Sequence, residues 1–198
     1  MSTAKCMEPT STPTGSRFAR NRPKALQLFA ERGFAQVSLR ELASHLELTA
    51  GSLYNHCSSK EELLLEFIEE HYMAMLSLFD RRYRRESPAA TLQVVVQGLV
   101  SLHQSHPLHF QLATRETGCL KPNQRLAIDR LRQQLRQQLN SLLCAAGLAA
   151  PGQVDAPALE LFEHLPLWLA SYPLDERQRC AALMRHLTAT QPTFETRR

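Results

Sequence analysis

The sequence predicts an all-α protein of about nine helices. Apolar residues recur at helical spacing from Arg17 to about Leu187, and no stretch alternates apolar and polar residues long enough to indicate a strand. Glycines fall mostly where helices should stop, as at Gly33 and Gly147. The predicted helices cover residues 17–33, 38–46, 49–56, 60–85, 88–105, 107–117, 122–146, 156–172 and 174–189.

The composition excludes several classes of protein. Of 198 residues, 43% are hydrophobic and 21% are charged, which is average for a globular protein and excludes a wholly disordered chain. The apolar runs are far shorter than the ~20 residues of a membrane helix, and no apolar segment indicates a secretory signal. The five cysteines are scattered without CxxC spacing. We therefore expect neither a disulfide scaffold nor a zinc site, and a cytoplasmic protein without a membrane partner.

Positive charge is concentrated at the amino terminus. Residues 1–40 hold seven Lys or Arg and two Glu, whereas the net charge of the whole chain is +4. This asymmetry favours a polyanionic partner, either nucleic acid or a membrane surface, over a merely solvated basic arm. Residues 1–16, rich in Ser, Thr and Pro, are predicted to be a disordered leader, and residues 190–198 a flexible tail.

The second and third predicted helices have the form of a helix-turn-helix. Ser38 and Glu41 are spaced as a capping box, and Thr49 can cap the next helix after a tight turn at 46–48. In that next helix Leu53 is the strongly apolar residue and should face inward. The small and polar residues around it would then face outward, as close approach to base edges in a DNA groove requires. A generic helical hairpin is the alternative, but such hairpins more often expose Glu and Lys.

Two segments resemble the TetR family of bacterial transcriptional repressors. Lys24 to Ala43 contains an LF-x3-G run and the serine-capped helix, and Leu53 to Leu63 reads LYxH-x3-KE-x-L. The resemblance implies an all-helical homodimer that needs no cofactor. Its DNA-binding domain would span residues 17–62. Residues 63–189 would form a helical domain for dimerisation and for binding a small effector that releases DNA.

The resemblance also implies roles for single residues. Arg40 would lie at the groove edge, Ala50, Gly51, Ser52 and Asn55 would face the bases, and Tyr54, His56 and Lys60 would lie near the DNA backbone. The predicted DNA-binding set is Ser38, Arg40, Thr49, Ala50, Gly51, Ser52, Tyr54, Asn55, His56 and Lys60.

Three residues depart from the family pattern. Glu47 stands where a glycine is usual, so this turn either tolerates a side chain or carries strain. Cys57 replaces an aromatic residue and is expected to be a buried packing residue rather than a redox switch. Pro23 lies within the first helix, which we expect to kink or to begin near Asn21–Arg22.

The carboxy-terminal helices show apolar stripes but no nameable motif. If a pocket lies among them, an apolar effector is favoured by the abundance of Leu, Val and Phe. The candidate effector-binding residues are Tyr72, His103, Phe110, Arg115, Glu116 and Trp168. His103, His106 and His109 are spaced by three, yet Pro107 separates them, so no metal site is predicted.

Two apolar stripes on the predicted helices 156–172 and 174–189 are predicted to form a four-helix dimer interface. A monomer would expose both stripes to solvent. The interface residues are Leu159, Phe162, Leu165, Leu169, Tyr172, Leu183 and Leu187. A continuous helix over 60–85 would be a rod of about 39 Å that links effector and DNA.

The predicted function is a DNA-binding repressor that a small effector releases from a near-palindromic operator. A regulator without an effector, controlled by a protein partner, is the alternative. A third hypothesis is a helical interaction module that has lost DNA binding. The basic arm and Lys60 make this hypothesis less favoured. No GxSxG, phosphate loop or HExxH motif indicates an enzyme.

Overall fold

The computed structural model describes residues 17–80, 87–149 and 156–189, and this part of the chain is all-α, as predicted. It contains nine α-helices, two short 3₁₀ turns at Phe34–Gln36 and Thr117–Cys119, and no strand. The predicted leader at 1–16, the predicted tail at 190–198 and the end of the predicted fourth helix at 81–86 lie outside the described residues. The helices are α1 Arg17–Arg32, α2 Leu39–His45, α3 Ala50–Tyr54, α4 Lys60–Ser77, α5 Pro88–Ser105, α6 Pro107–Glu116, α7 Pro122–Ala145, α8 Ala156–Ala170 and α9 Glu176–Ala189.

Helix starts follow from hydroxyl caps and prolines. Ser59 Oγ accepts the amide of Glu62 at the start of α4, and Ser87 Oγ accepts the amide of Ala90 at the start of α5. Proline occupies the first turn of α5, α6 and α7, where its missing N–H has no helical partner to lose. None of the described helices is long and apolar enough to cross a membrane.

The first helix begins earlier than one of our expectations. It starts at Arg17 and contains Pro23, so a start near Asn21–Arg22 is wrong. Tertiary contacts hold the turns that precede the proline. Phe18 is buried, and the side-chain amide of Asn21 donates to the carbonyl of Leu46 at 2.9 Å. These contacts offset the backbone hydrogen bond that a proline inside a helix removes.

The fourth helix is shorter than the predicted 60–85. It ends at Ser77, and the next three amides bond to carbonyls three residues back, which tightens the last turn. The ring of Phe79 then packs 6.0 Å from a phenylalanine ring of α8. Leu78 reaches α5 so closely that a Cβ on Gly98 would lie 2.8 Å from its side chain. Packing of these two partly buried side chains turns the chain, and the 18 residues of α4 span about 27 Å.

One continuous core runs through the molecule with α4 at its centre. The buried residues of α4 include Leu63, Leu64, Phe67, Ile68 and Met75. They face α6 on one side and α7 on the other, while α5 packs against α9, and α8 lies against α6 and α9. The core reaches α1 through the edge-to-face contact of Phe29 and Phe67, whose ring centroids are 6.4 Å apart.

The residues predicted for the dimer interface are mostly core of one chain. Five of the seven residues are at most 3% exposed in a single chain, so a monomer does not expose them to solvent, contrary to the prediction. Tyr172 is the exception at 45% exposure, and the side chain of Leu165 lies outside the described atoms. The stripes were misassigned because helical periodicity marks a buried face without indicating which helix covers it. The buried members are Leu159, Phe162, Leu169, Leu183 and Leu187.

Candidate nucleic-acid interface

The two short helices α2 and α3 begin at the predicted caps. Ser38 Oγ accepts the amide of Glu41 at 3.2 Å, and the Glu41 carboxylate accepts the amide of Ser38 at 2.9 Å. Thr49 Oγ1 accepts the amide of Ser52 at 3.1 Å. Each cap satisfies a backbone donor that the helix itself leaves without a partner. Local sequence therefore determines where α2 and α3 begin.

The turn between these helices is a Schellman motif with a glutamate at the left-handed position. The amide of Leu48 bonds to the carbonyl of Ala43 at 2.9 Å, and the amide of Glu47 bonds to the carbonyl of Ser44 at 3.0 Å. Glu47 has φ 56°, a region that favours glycine. Its carboxylate lies 2.6 Å from Lys24 Nζ, and this hydrogen bond lowers the pKa of Glu47. The turn accepts a side chain at the cost of backbone strain.

The outward face of α3 carries small and polar side chains. Leu53 is fully buried, as predicted, and it fixes the rotation of the helix. Ala50, Gly51 and Asn55 are exposed and Ser52 is half-buried. A Cβ on Gly51 would meet no atom within 4 Å, so this end of the helix is open to an approaching surface. An uncrowded helix of this kind fits the width of a DNA major groove.

Aromatic and sulfur-bearing residues flank α3 from both sides. The ring of His56 stacks on Phe18 at 4.7 Å, which positions it against the first turn of α1. Tyr54 is 56% exposed. Cys57 is buried beneath the helix with its thiol 3.8 Å from the carbonyl of Leu53, and burial raises the pKa of that thiol. The predicted packing role of Cys57 is confirmed.

The cations near this face divide into paired and unpaired groups. Arg22, Lys24 and Arg32 are held in ion pairs by glutamates. Arg20 and Arg40 are exposed, and neither guanidinium group forms a hydrogen bond or ion pair within residues 17–80, 87–149 and 156–189. These two guanidinium groups are therefore available to phosphates without first breaking an internal contact.

Lys60 is engaged inside the molecule. Its Nζ donates to the carbonyl of Phe34 at 3.1 Å and to that of Val37 at 2.9 Å. The same ammonium lies 4.3 Å from the centroid of the Phe34 ring, in cation–π range. Lys60 thus fastens the 3₁₀ turn to the start of α4. Its predicted contact with the DNA backbone stays a prediction, and this geometry gives it a structural role as well.

Residues 24–67 match the model of a family described as bacterial regulatory proteins, tetR family. Over these residues the chain is similar to the TetR family. An uncharacterized HTH-type transcriptional regulator from Haemophilus influenzae is 30% identical over 93 residues, which are 46% of this chain and 45% of that protein. The chain therefore spans less than half the length of this curated relative. Its relatives are named as regulators, in agreement with the prediction that it is not an enzyme.

Solved structures share the TetR-like fold over most of the chain. The TetR-family transcriptional regulator PfmR from Thermus thermophilus superposes with a TM-score of 0.72 at 21% identity, covering 86% of this chain and 97% of its own. AibR, solved with isovaleryl coenzyme A and operator DNA, superposes with a TM-score of 0.67 at 20% identity, covering 87% and 98%. At these identities the likeness shows the fold alone.

The predicted effector residues do not form one site. Tyr72, His103 and Phe110 are buried, and the rings of His103 and Phe110 lie 5.0 Å apart. Arg115 and Trp168 are exposed. The sequence did not indicate which of these residues are buried and which are exposed, and the structure divides them.

Glu116 is the sixth predicted effector residue, and it lies elsewhere. Its Oε2 is 3.5 Å from the thiol of Cys119, and its other oxygen is near Gly33. Glu116 therefore lies where α6 meets the end of α1, away from the buried rings of Tyr72 and Phe110.

Of the three histidines spaced by three, His106 and His109 have ring centroids 5.6 Å apart, whereas His103 packs on another ring. His103 is buried against Phe110, His106 is exposed where α5 ends and α6 begins, and His109 lies 3.6 Å from a carboxylate oxygen of Glu70. Across residues 17–80, 87–149 and 156–189, no group of three or more His, Cys, Asp or Glu side chains is placed to hold a metal ion.

Sequence reasoning missed a buried ionic cluster in the carboxy-terminal half. Arg132 on α7 donates through Nε and Nη2 to both oxygens of Glu163 on α8, at 2.8 and 2.7 Å. Tyr72 donates its hydroxyl to Glu163 Oε1 at 3.0 Å. Burial and the glutamate raise the pKa of Tyr72, and the hydrogen bond to Glu163 raises that of Arg132. No sequence signal links residues that lie 31 and 91 positions apart.

Proposed function

We propose that this TetR-family chain is a transcriptional regulator that represses by occupying a near-palindromic operator as a homodimer and leaves it when a small effector binds. One observation carries the DNA part. The short helix α3 presents small polar side chains outward while Leu53 anchors it from beneath. We place the DNA-binding domain at residues 17–62 and the effector-binding and dimerisation domain at 63–189.

The DNA contacts follow from the exposure of each side chain. In our proposal α3 enters the major groove, where Ser52 and Asn55 meet base edges. Tyr54 and the unpaired Arg20 and Arg40 hold phosphates, which fixes the register without reading sequence. Two such helices related by a two-fold axis would reach half-sites about 34–36 Å apart, which requires a near-palindrome.

The dimer surface in this proposal is the exposed face of α8 and the turn after it. Trp168 and Tyr172 are both exposed, and their rings pack edge to face at 5.0 Å. Two large aromatic side chains held together at the surface are typical of interface anchors. They replace the buried leucines of α8 and α9 as the candidate contacts.

Effector binding is proposed within residues 63–189. Cavities between the helices support this part, among them one of about 360 Å³ where the end of α4 meets α5 and α7. Its lining holds the apolar residues Phe79, Val95 and Leu142 beside the polar residues Asp80, Thr91 and Gln138, which suits an effector with an apolar body and a polar group. Because α4 runs from beside α3 to this cavity, a shift at its far end would move the DNA-binding helices. AibR binds isovaleryl coenzyme A, which gives a solved example of a structural neighbour that takes a small ligand.

DNA selection followed by titration tests the proposal. The full-length chain is used to select binding sites from random-sequence duplexes, and the enriched operator is titrated by fluorescence anisotropy at several salt concentrations. We expect a palindromic motif and a negative log–log slope, since each neutralised phosphate contributes about −0.9. Enrichment of no motif, or a flat slope, would contradict DNA-specific regulation.

Matched variants assign the contacts. Asn55→Ala should relax preference at one base position, at about 1–3 kcal/mol per mismatch. Arg40→Ala should weaken all sequences alike. Gln27→Ala, an exposed position of α1 whose side chain pairs with Glu31, is the control and should change neither. Sedimentation of a Trp168→Ala, Tyr172→Ala double variant should show monomer where the parent chain shows dimer.

A further inference from the structure

The ammonium group of Lys60 is surrounded by partners from its own chain. An ammonium has three N–H donors. The carbonyls of Phe34 and Val37 accept two of them, at 3.1 and 2.9 Å from Nζ, and the centroid of the Phe34 ring lies 4.3 Å from the same atom. Lys60 is half-buried. A DNA phosphate could therefore bind this ammonium only by displacing one of these three contacts.

The carbonyl of Val37 depends on Lys60 for its hydrogen bond. Val37 is fully buried, so water does not reach its carbonyl, and the ammonium of Lys60 satisfies it. The carbonyl of Phe34, in contrast, also accepts the amide of Val37 at 3.3 Å. Removing the ammonium would leave the buried Val37 acceptor without its donor, which is the costly way to lose a hydrogen bond.

The peptide group between Val37 and Ser38 is held at both ends. Its carbonyl accepts the ammonium of Lys60, and its N–H donates to the Glu41 carboxylate at 2.9 Å. Because a peptide group is planar, these two bonds fix the plane from which α2 starts. Ser38 is the N-cap of α2, and α2 leads through the turn at 46–48 into α3. Lys60 therefore ties the start of the two short helices to the start of α4.

Other cations of the amino-terminal helices are better placed for phosphates. The guanidinium groups of Arg20 and Arg40 are exposed and form no hydrogen bond or ion pair with any residue at 17–80, 87–149 or 156–189. A phosphate gains either arginine without breaking an internal contact, whereas at Lys60 it must compete with buried carbonyls. The arginines thus supply charge to the DNA-facing surface, and Lys60 supplies its shape.

We infer that Lys60 is a positioning residue for DNA binding: it fixes segment 34–37, and thereby the direction of α2 and α3, and it contacts no phosphate. This role rests on the proposed DNA binding and replaces the backbone contact that the sequence predicted for Lys60. In a homodimer, the two Lys60 side chains would hold the two copies of α3 in register with their half-sites. If about one third of subunits kept both helices in place without the ammonium, a dimer would bind about 10-fold more weakly, since apparent affinity scales with the competent fraction.

The salt dependence of operator binding separates positioning from phosphate contact. Each phosphate contact contributes about −0.9 to the log–log slope, so losing one contact per subunit would reduce the slope of a dimer by about 1.8. The selected operator is titrated with the parent chain, Lys60→Met and Arg40→Ala, each shown to be folded by circular dichroism. We expect Lys60→Met to bind about 10-fold more weakly at every salt concentration with an unchanged slope, and Arg40→Ala to reduce the slope.

Two results of this titration would overturn the inference. A slope reduced in Lys60→Met as much as in Arg40→Ala would show a lost phosphate contact. Parent-like affinity of Lys60→Met would show a side chain that stabilises the fold without positioning the helices.

Phe34→Leu gives an independent test, because it removes the ring and keeps the charge of Lys60. We expect about 2- to 5-fold weaker operator binding with an unchanged slope, the range for one cation–π contact. An ammonium that binds phosphate would instead be freed by Phe34→Leu, and operator affinity would stay the same or rise. That result would contradict the positioning role.

Hydrogen exchange tests the same role without DNA. Amide exchange of the free full-length chain is followed by mass spectrometry in the parent, in Lys60→Met and in Lys121→Met. Lys121 is an exposed lysine before α7 and is the control for the loss of one positive charge. We expect faster exchange of residues 38–54 in Lys60→Met alone, and unchanged exchange there would overturn the inference. Selection of no operator by the parent chain would overturn the proposed function, and the exchange result would still decide whether Lys60 holds α2.

Discussion

Arginine–glutamate pairs hold this protein together in two regions, inside the carboxy-terminal half and where α1 meets α4. Inside, Arg132 meets both oxygens of one carboxylate, Glu163, which is 5% exposed and also receives the hydroxyl of Tyr72. At the junction, Arg22 divides its guanidinium between Glu66 and Glu70, which are 42% and 50% exposed. The arginines differ little in exposure, at 32% and 22%, so the carboxylates make the difference.

The difference in carboxylate exposure makes the interior ion pair harder to break than the pair between α1 and α4. A carboxylate that is 5% exposed regains little water when it loses its cation, so we expect the pair of Glu163 and Arg132 to be costly to break. Glu70 faces solvent and a cavity, and it has His109 as a further neighbour at 3.6 Å. Because Glu70 is 50% exposed, water can replace its arginine partner at small cost. We therefore expect the two pairs to behave differently under mutation and under pH change.

The largest effect should come from the interior pair. Arg132→Ala leaves a buried carboxylate with the Tyr72 hydroxyl as its remaining partner, and we expect it to lower the free energy of unfolding by about 3 kcal/mol. Urea denaturation followed by circular dichroism measures this. Arg130→Ala, an exposed position on the same helix, should stay within ~0.5 kcal/mol of the parent. If Arg132→Ala and Arg130→Ala lowered the free energy of unfolding equally, the buried ion pair would have no special role in stability.

A smaller effect is expected from His71, which lies between the two regions. The pKa of His71 is lowered by burial to about 3, whereas the unfolded chain has an ordinary value near 6.5. Below pH 6.5 the unfolded state binds the proton more readily, so stability falls as pH falls. This one group should contribute a loss of about 1.5 kcal/mol between pH 6.5 and pH 5.

Urea midpoints measured across this pH range test the sign and the size of that loss. His71→Gln should show a flatter decline than the parent chain, and His45→Gln, at an exposed position of α2, should not. A parallel decline in His71→Gln would mean that other groups carry the acid sensitivity.

The junction pair should matter less for stability than the interior pair. Arg22→Met removes two half-exposed ion pairs and the cation over Phe67, and we expect a loss of about 1 kcal/mol. Adding 0.5 M NaCl should shrink the difference between Arg22→Met and the parent, because exposed pairs are screened. The same salt should leave the loss of unfolding free energy in Arg132→Ala almost unchanged. If Arg22→Met lost as much unfolding free energy as Arg132→Ala, the two ion pairs would not differ as we expect.

The smallest effect concerns the exposed pair of Lys24 and Glu47, where backbone strain outweighs the ion pair. Glu47 and Gly147 occupy the same position of two Schellman motifs, with φ 56° and 72°. Glu47→Gly should therefore raise Tm by roughly 1–2 °C. A Cβ added at Gly147 would meet no atom within 4 Å. Gly147→Ala should therefore lower the free energy of unfolding by about 1 kcal/mol through backbone strain alone. Scanning calorimetry should give opposite signs for the two variants.

The sequence predicted the amino-terminal helices well because their signals are local. Hydroxyl caps at Ser38 and Thr49 act over three residues, and the single apolar residue Leu53 decides which face of α3 turns inward. The unusual backbone at Glu47 was also foreseeable, since the turn needs a left-handed residue there. These features depend on neighbours along the chain, and the chain alone specifies them.

Tertiary packing decided which apolar faces are covered and where the fourth helix ends. Periodicity predicted the apolar stripe of Leu159 and Phe162 but not that other helices of the same chain cover it. The absence of glycine and proline favoured a helix to 85, yet the packing of Phe79 turns the chain near residue 78. Burial and ion pairing between distant residues depend on how the helices pack against one another. Sequence patterns within one helix therefore do not predict them.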